Sequence, residues 1–195
     1  MALALLLLAF TFGCNRVDTG VKSTPSVSVL KGVFLDAPVG GLNYATPTIR
    51  NVTRADGAFE YLPGETVTFS IGKFVLGSTS GKPVVTPLDI VPGARGASDH
   101  RVVNICVVLQ TLDEDGNPEN GIQISEKVSS VISQHHKSIN LDKPARAFSF
   151  DGGFRSAMAE LNNIDAFGDL PRAVKPPAVA RKHLEATLKK IQEKK

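Results

Sequence analysis

The side chains best suited to chemistry in this sequence lie in one short stretch, Asp113-Glu114-Asp115-Gly116-Asn117-Pro118-Glu119-Asn120-Gly121. Asp113, Asp115, Asn117 and Asn120 offer oxygen ligands, the first three at alternate positions, on a loop that Gly116 and Gly121 let bend sharply. Oxygen-only donor sets suit a hard ion, and calcium is the cofactor this pattern would take. The stretch follows an apolar helical pattern, so its acids crowd the negative end of a helix dipole. Anions there are disfavoured by about 0.3–1 kcal/mol each, and a bound cation would reverse the sign. The competing reading is a helix stop built from Asx-turns, with Asp115-Gly116 as the turn and the acids in water.

The donor set departs from a standard EF-hand. Counted from Asp113, Pro118 stands where the loop needs glycine and Ile124 where it needs a bidentate glutamate. The other reactive residue types form no constellation. His135 and His136 are adjacent, so on a helix they point about 100° apart and are poorly placed to share a metal. Cys106 falls in an apolar run and reads as a core residue. Ser70 and Ser80 lack a nucleophile-elbow context, and Glu60 and Glu65 flank a turn, where water would solvate them. There is no phosphate-binding loop or dinucleotide fingerprint. An enzyme would need Asp36, Asp56, Asp89 and Asp113 to meet in one cleft. The residues therefore point to a non-catalytic protein.

The element that must position the acidic loop is the run before it. Val102, Ile105, Leu109 and Leu112 recur at helical spacing, and Val103, Cys106, Val107 and Val108 fill most other faces, which predicts an interior helix. Asp99, or Ser98, can cap its start. Ser125 caps a second predicted helix carrying Val128, Val131 and Ile132. Asp151 caps a third through Phe154, Ala157, Met158 and Leu161. Pro176-Pro177 starts a last one with Leu184, Leu188 and Ile191 as its stripe. Between the second and third, Asn140 to Phe150 reads as a connection with Phe148 and Phe150 turned inward.

The N-terminal half has a different period. Val27 to Leu35 reads as one strand, bulged at Gly32. Thr66 to Ile71 is the cleanest alternating strand, and Ala55-Asp56-Gly57-Ala58 is a hairpin turn signal. Short strands at regular spacing with glycine turns predict a small antiparallel sandwich or barrel.

Composition bounds the rest. The 195 residues, 42% hydrophobic, can build a real core, and two cysteines without a Cys/His cluster argue against zinc or a disulfide framework. A net charge of +3 is too mild to argue for nucleic acid. Residues Ala2 to Phe12 are almost wholly apolar, too short to span a bilayer, and stand where a signal peptide's hydrophobic region belongs. The run closes on Gly13-Cys14, which resembles the lipobox of bacterial lipoproteins, although Thr11 and Phe12 depart from it. That resemblance implies lipidation at Cys14 by more than one acyl chain, such as palmitate, with Asn15 directing the protein to the outer membrane. The alternative is ordinary secretory cleavage near Gly13.

Two further resemblances concern the folded part. Gly32-Val33-Phe34-Leu35-Asp36-Ala37-Pro38-Val39-Gly40-Gly41-Leu42-Asn43-Tyr44 and Ala55-Asp56-Gly57-Ala58-Phe59 resemble the prealbumin-like, carboxypeptidase-regulatory β-module, though Thr53-Arg54-Ala55-Asp56-Gly57 lacks its usual first Asp. Residues 32–124 are similar to a family of uncharacterised bacterial surface lipoproteins. The similarity is carried by Gly64–Gly72, Thr86-Pro87-Leu88-Asp89, Leu109–Gly116 and Asn120-Gly121-Ile122. Members are labelled adhesin-like or solvent-tolerance proteins, and no catalytic residue comes with the family.

The expectation is an α+β chain: a signal peptide at 1–13, a lipidated cysteine and flexible tether at 14–26, an antiparallel prealbumin-like β-sandwich at 27–93, and a helical region at 98–195 holding the acidic loop 113–121. Its expected role is surface binding or adhesion, assisted by calcium, with the membrane as partner through the N-terminal lipid. An envelope polysaccharide or protein is the second expected partner. An envelope hydrolase and a structural subunit docking a protein are the alternatives.

Overall fold

The computed structural model describes residues 28–193. The predicted signal peptide, Cys14 and the tether lie outside the described residues. The chain is α+β, with strands concentrated in the N-terminal half and helices in the C-terminal half. The strands are β1 (Leu30–Phe34), β2 (Val39–Gly40), β3 (Asn43–Ala45), β4 (Arg50–Val52), β5 (Ala58–Tyr61), β6 (Thr66–Ile71), β7 (Phe74–Ser80), β8 (Val84–Val85) and β9 (Ile122–Gln123). The helices are α1 (His100–Leu112), α2 (Glu126–His135), α3 (Ala145–Phe148), α4 (Gly152–Asn163) and α5 (Pro177–Gln192), with a 3-10 turn at Pro118–Asn120.

Two sheets carry most of the β half, in the orders β4-β3-β6-β7 and β5-β1-β8, and β2 pairs with β9 in a third. Alternation decides which side chains meet between them: β6 buries Val67, Phe69 and Ile71 and turns Thr66, Thr68 and Ser70 outward. Phe69 packs on Phe34 at 4.8 Å and edge-on to Phe59 at 5.1 Å, and Phe59 also meets Tyr44 at 5.9 Å. Rings in these arrangements contribute about 0.5–1.5 kcal/mol per pair beyond their buried area. Gly32 has its reason here. A Cβ at that position would overlap the Phe59 ring and the Lys82 carbonyl. It sits in regular pairing with Phe59 rather than at a bulge; the irregularity falls between Phe69 and Ser70.

Three sequence expectations change in the β half. One is the bulge, which falls not at Gly32 but in β7, where Leu76 is the extra residue opposite the Phe69–Ser70 step of β6. The second is the pairing, which is not purely antiparallel, because β8 runs parallel to β1 and β2 parallel to β9. The third is the Asp56-Gly57 turn, which does not close a hairpin of paired strands. It carries the chain from β4, at the edge of one sheet, to β5, at the edge of the other. Gly57 stands at φ +78° and its carbonyl accepts from Phe34 N–H, so the turn closes on β1.

The helices start where the caps predict. Asp99 accepts from Arg101 N–H, Ser125 from Val128 N–H and Asp151 from Phe154 N–H. Each such cap is worth about 1 kcal/mol. Every residue of α1 from Val102 to Leu112 is buried, as its all-round apolar pattern requires. Helices α3 and α5 pack along α1, and α2 packs against β6, β7 and α4. The predicted connection Asn140–Phe150 contains α3. It is pinned to α1 by Asn104, whose Nδ2 donates to the carbonyls of Leu141 and Lys143, both at 2.8 Å. Phe148 is buried, but Phe150 is 72% exposed, the reverse of its expected inward placement. The α3–α4 junction turns within one residue of it, since Phe150 N–H and Asp151 N–H close back on α3 carbonyls. Buried side chains of both halves join one continuous core. Among the described residues no helix is long and apolar enough to cross a membrane.

Candidate functional site

Helix α1 ends at Leu112 with Asp113 as its C-terminal cap, and the acidic loop runs from there through the 3-10 turn into β9. Asp113 is 1% exposed. Its Oδ1 accepts from Gln123 N–H at 2.9 Å, while its Oδ2 is buried with no hydrogen-bond partner. Burial pushes the Asp113 carboxyl up. The Gln123 N–H opposes that shift and the neighbouring Asp115 charge adds to it. Asp115 accepts from Asn117 N–H and from Asn120 Nδ2, both at 2.8 Å, and the Asn120 bond leads in holding its carboxyl below the usual range. Asn117 Oδ1 accepts from Glu119 N–H at 3.3 Å and caps the 3-10 turn. The loop thus brings Asp113, Asp115 and Asn120 together around a cavity of about 210 Å³. Asn117 is turned to the local backbone.

Sequence reasoning missed the cation already present. Arg172, from the segment between α4 and α5, reaches the end of α1 with its guanidinium. Nη1 donates to the Asp113 carbonyl at 2.6 Å and the Thr111 carbonyl at 3.4 Å, and Nη2 to the Glu114 carbonyl at 3.1 Å. Lys175 Nζ donates to the Gly116 carbonyl at 2.9 Å. These are carbonyls at and just past the C-terminal end of the helix, which its own ladder leaves without partners; only that of Asp113 also accepts from a turn N–H, the Gly116 N–H at 3.2 Å. A positive charge there opposes the dipole and the acids together. Gly116 is at φ +72°, and a Cβ on it would come within 2.7 Å of Arg172 Nη1, so glycine serves both the turn and the guanidinium. Asn162 holds the Arg172 backbone, accepting its N–H at 2.8 Å, and Arg172 also stands 4.6 Å over the Phe167 ring. Nothing local to residues 113–121 points to a partner 59 residues away.

The four aspartates named for an enzyme have separate partners. Asp56 Oδ1 caps its own turn, accepting from Ala58 N–H. Asp89 pairs with Lys82 and accepts from the Thr86 N–H and hydroxyl. Burial pushes its carboxyl up, but the Lys82 and Thr86 bonds outweigh that and leave it below the usual range. Asp113 is held by Gln123. Asp36 is fully buried in the turn between β1 and β2. Its Oδ2 accepts from Gln110 Nε2 of α1 at 2.8 Å, and its backbone carbonyl accepts from the Thr187 hydroxyl of α5 at 2.7 Å. Burial pushes the Asp36 carboxyl up to about 6, against smaller downward pulls from Gln110, His183 and Cys106. Cys106 is the core residue expected; burial, and then the Asp36 charge, push its thiol well up. Asp36 Oδ1, Gln110 Oε1 and His183 Nε2 all lack hydrogen-bond partners in this layer.

The adjacent histidines diverge as their spacing predicts. His135 Nε2 meets Glu160 Oε2 at 2.8 Å, while His136 Nδ1 faces the Ser133 carbonyl at 2.7 Å. Glu65 is tied down rather than free in water, accepting from the Thr48 hydroxyl and Leu62 N–H. Among the described residues, no three His, Cys, Asp or Glu side chains cluster as metal ligands.

Set against known proteins, the chain is 36% identical over 103 residues, 52% of its own length, to a protein of Escherichia coli (strain K12) named "Putative lipoprotein AcfD homolog". The match spans 6% of that protein's length. No family model matches the chain, and no solved structure matches it.

Proposed function

We propose that this chain belongs to an envelope lipoprotein, anchored in the outer membrane through acyl chains on Cys14, whose folded part acts by binding or adhesion at the cell surface. The observation that carries the reading is the agreement of two independent signals. An apolar N-terminal run closes on Gly13-Cys14, and the relative that matches half the chain is named a lipoprotein. Export and lipid anchoring put the folded part at an envelope surface, where polysaccharide or protein are the partners within reach. The separate partners of Asp36, Asp56, Asp89 and Asp113 give no observation in favour of the hydrolase alternative. The structural-subunit alternative draws on Phe150 and Leu170, 72% and 81% exposed.

Growth with an alkyne analogue of palmitate, followed by membrane fractionation, tests the anchor. The wild-type chain takes the label and sediments with outer membrane; Cys14→Ala takes none and is released to the soluble fraction. Label retained by Cys14→Ala would overturn the reading.

The calcium-assisted form of the proposal rests on the partnerless Oδ2 of Asp113 beside Asp115. A cation there would have to replace the hydrogen bonds that Asn117 and Asn120 make to Asp115. Its signature is a melting temperature that rises with millimolar calcium and ceases to do so in Asp113→Ala/Asp115→Ala. An unchanged melt would leave the loop as a helix stop closed by Arg172.

A further inference from the structure

A cavity of about 480 Å³ opens between the β1–β2 turn, β8, the 3-10 turn and α5. Leu35, Pro38, Val84 and Ile191 give it apolar walls. A second cavity of about 380 Å³ shares Val84 and Ile191 with the first and is lined further by Leu88 and Leu188. The two adjoin along the end of α5 as a groove with apolar walls, and Lys82 and Asp89, paired to each other, line the second lobe as well. Each lobe's volume lies in the range of small-molecule sites, about 300–1,000 Å³.

The polar groups of the first lobe are largely committed. Thr187 gives its hydroxyl to the Asp36 carbonyl. Glu119 Oε1 meets His183 Nδ1 at 3.1 Å, and the His183 side chain is only 9% exposed. Lys190 is different: it lines the lobe, is exposed, and has no carboxylate within ion-pair distance among the described residues. Among the described residues, Lys190 thus lines the apolar-walled lobe with an ammonium that has no carboxylate partner. An added peptide strand is a poor match. β8 is an edge strand of two residues, and Pro83 before it has no N–H to offer.

We propose that this groove binds an alkyl carboxylate, with the chain lying along Val84, Ile191, Leu88 and Leu188 and the carboxylate on Lys190. The proposal stands on the groove and its cation, independently of the anchoring reading.

Isothermal calorimetry on the whole chain carrying Cys14→Ser tests it, with decanoate, decanol and decyltrimethylammonium each kept below its aggregation limit. Decanoate should bind about tenfold more tightly than decanol, the worth of one hydrogen bond to a charged group, and decyltrimethylammonium more weakly than either. Lys190→Met should bring decanoate down to the level of decanol and leave decanol unchanged, while Lys190→Arg keeps the preference. Ile191→Asp, at a half-buried position near the helix end, should weaken decanoate and decanol alike with the helical circular dichroism intact. Equal affinity for the three head groups, an unaffected Lys190→Met variant, or no decanoate binding at millimolar concentration would each overturn the proposal. So would Lys190-dependent binding to phosphatidylglycerol vesicles without binding of monomeric decanoate, which would assign the cation to a membrane surface.

Discussion

Replacing Asp36 by asparagine should stabilise the protein at neutral pH, by an amount that depends on pH in a defined way. The Asp36 carboxyl is fully buried and is pushed from an ordinary 3.8 to about 6. Between those values the folded chain holds a proton that the unfolded chain releases, so stability falls as pH rises from about 4 and the loss is complete somewhat above pH 6. At about 1.4 kcal/mol per pH unit, the interval from 3.8 to about 6 corresponds to roughly 3 kcal/mol. The substituted carboxamide carries no charge to desolvate. Its oxygen can still accept from Gln110 Nε2, and its amide adds a donor in a layer where Gln110 Oε1 and His183 Nε2 have no partner. The groups that face it are Cys106 from α1 and His183 from α5, and Glu119 in turn holds His183. Urea unfolding of wild type and Asp36→Asn at intervals from pH 4 to pH 8 reads the difference directly, because other titrations are common to both chains. The two should be nearly equally stable at pH 4. Asp36→Asn should gain up to about 3 kcal/mol by pH 8, with the rise centred at about pH 5, midway between 3.8 and about 6. A difference that does not vary with pH, or an Asp36→Asn chain less stable than wild type at pH 8, would refute the assignment of a costly buried charge.

Three further outcomes follow from the site and its supports. Arg172→Met keeps an apolar stem over Phe167 but removes the guanidinium donor from the carbonyls of Asp113 and Glu114, of which Asp113 keeps Gly116 N–H, so thermal melts should show a loss of about 1–2 kcal/mol. Gly116→Ala meets both the +72° backbone and the Arg172 guanidinium, and should cost more than Gly93→Ala, whose backbone stands at a similar +77° but which faces no atom within 4 Å; equal costs would separate the turn from Arg172. Asn104→Asp sets a carboxylate against the carbonyls of Leu141 and Lys143, and chemical denaturation should register a loss of about 3 kcal/mol or more, while Asp99→Ala should cost only about 1 kcal/mol for its cap.

What the residue order determined by itself is local. The three helix caps, the interior character of α1, the bounds of β6 and the divergence of His135 and His136 are all set by side chains close to one another in sequence. A hydrogen bond from a side chain to the backbone two or three residues on, or a shared face at period 2 or 3.6, needs no knowledge of the rest of the chain. The presence of both sheets and helices, and their separation along the chain, followed from the change of period near residue 98.

What the tertiary structure decided is every feature that depends on residues remote in sequence. The acids at the end of α1 look uncompensated until Arg172 and Lys175, each 59 residues on from an acceptor carbonyl, supply the positive charge. Asp36 looks like a turn residue until Gln110 and Thr187, 74 and 151 positions away, bury it. The Asp56-Gly57 turn signal is real, but a turn reports only that the chain reverses or swings, not which strand it will meet; here β5 finds β1 rather than β4. Phe150 faces outward because α3 closes just before it and sets the direction of the chain into α4. Packing fixes these partners through buried area and satisfied polar groups, and neither quantity exists until the distant segments are in place.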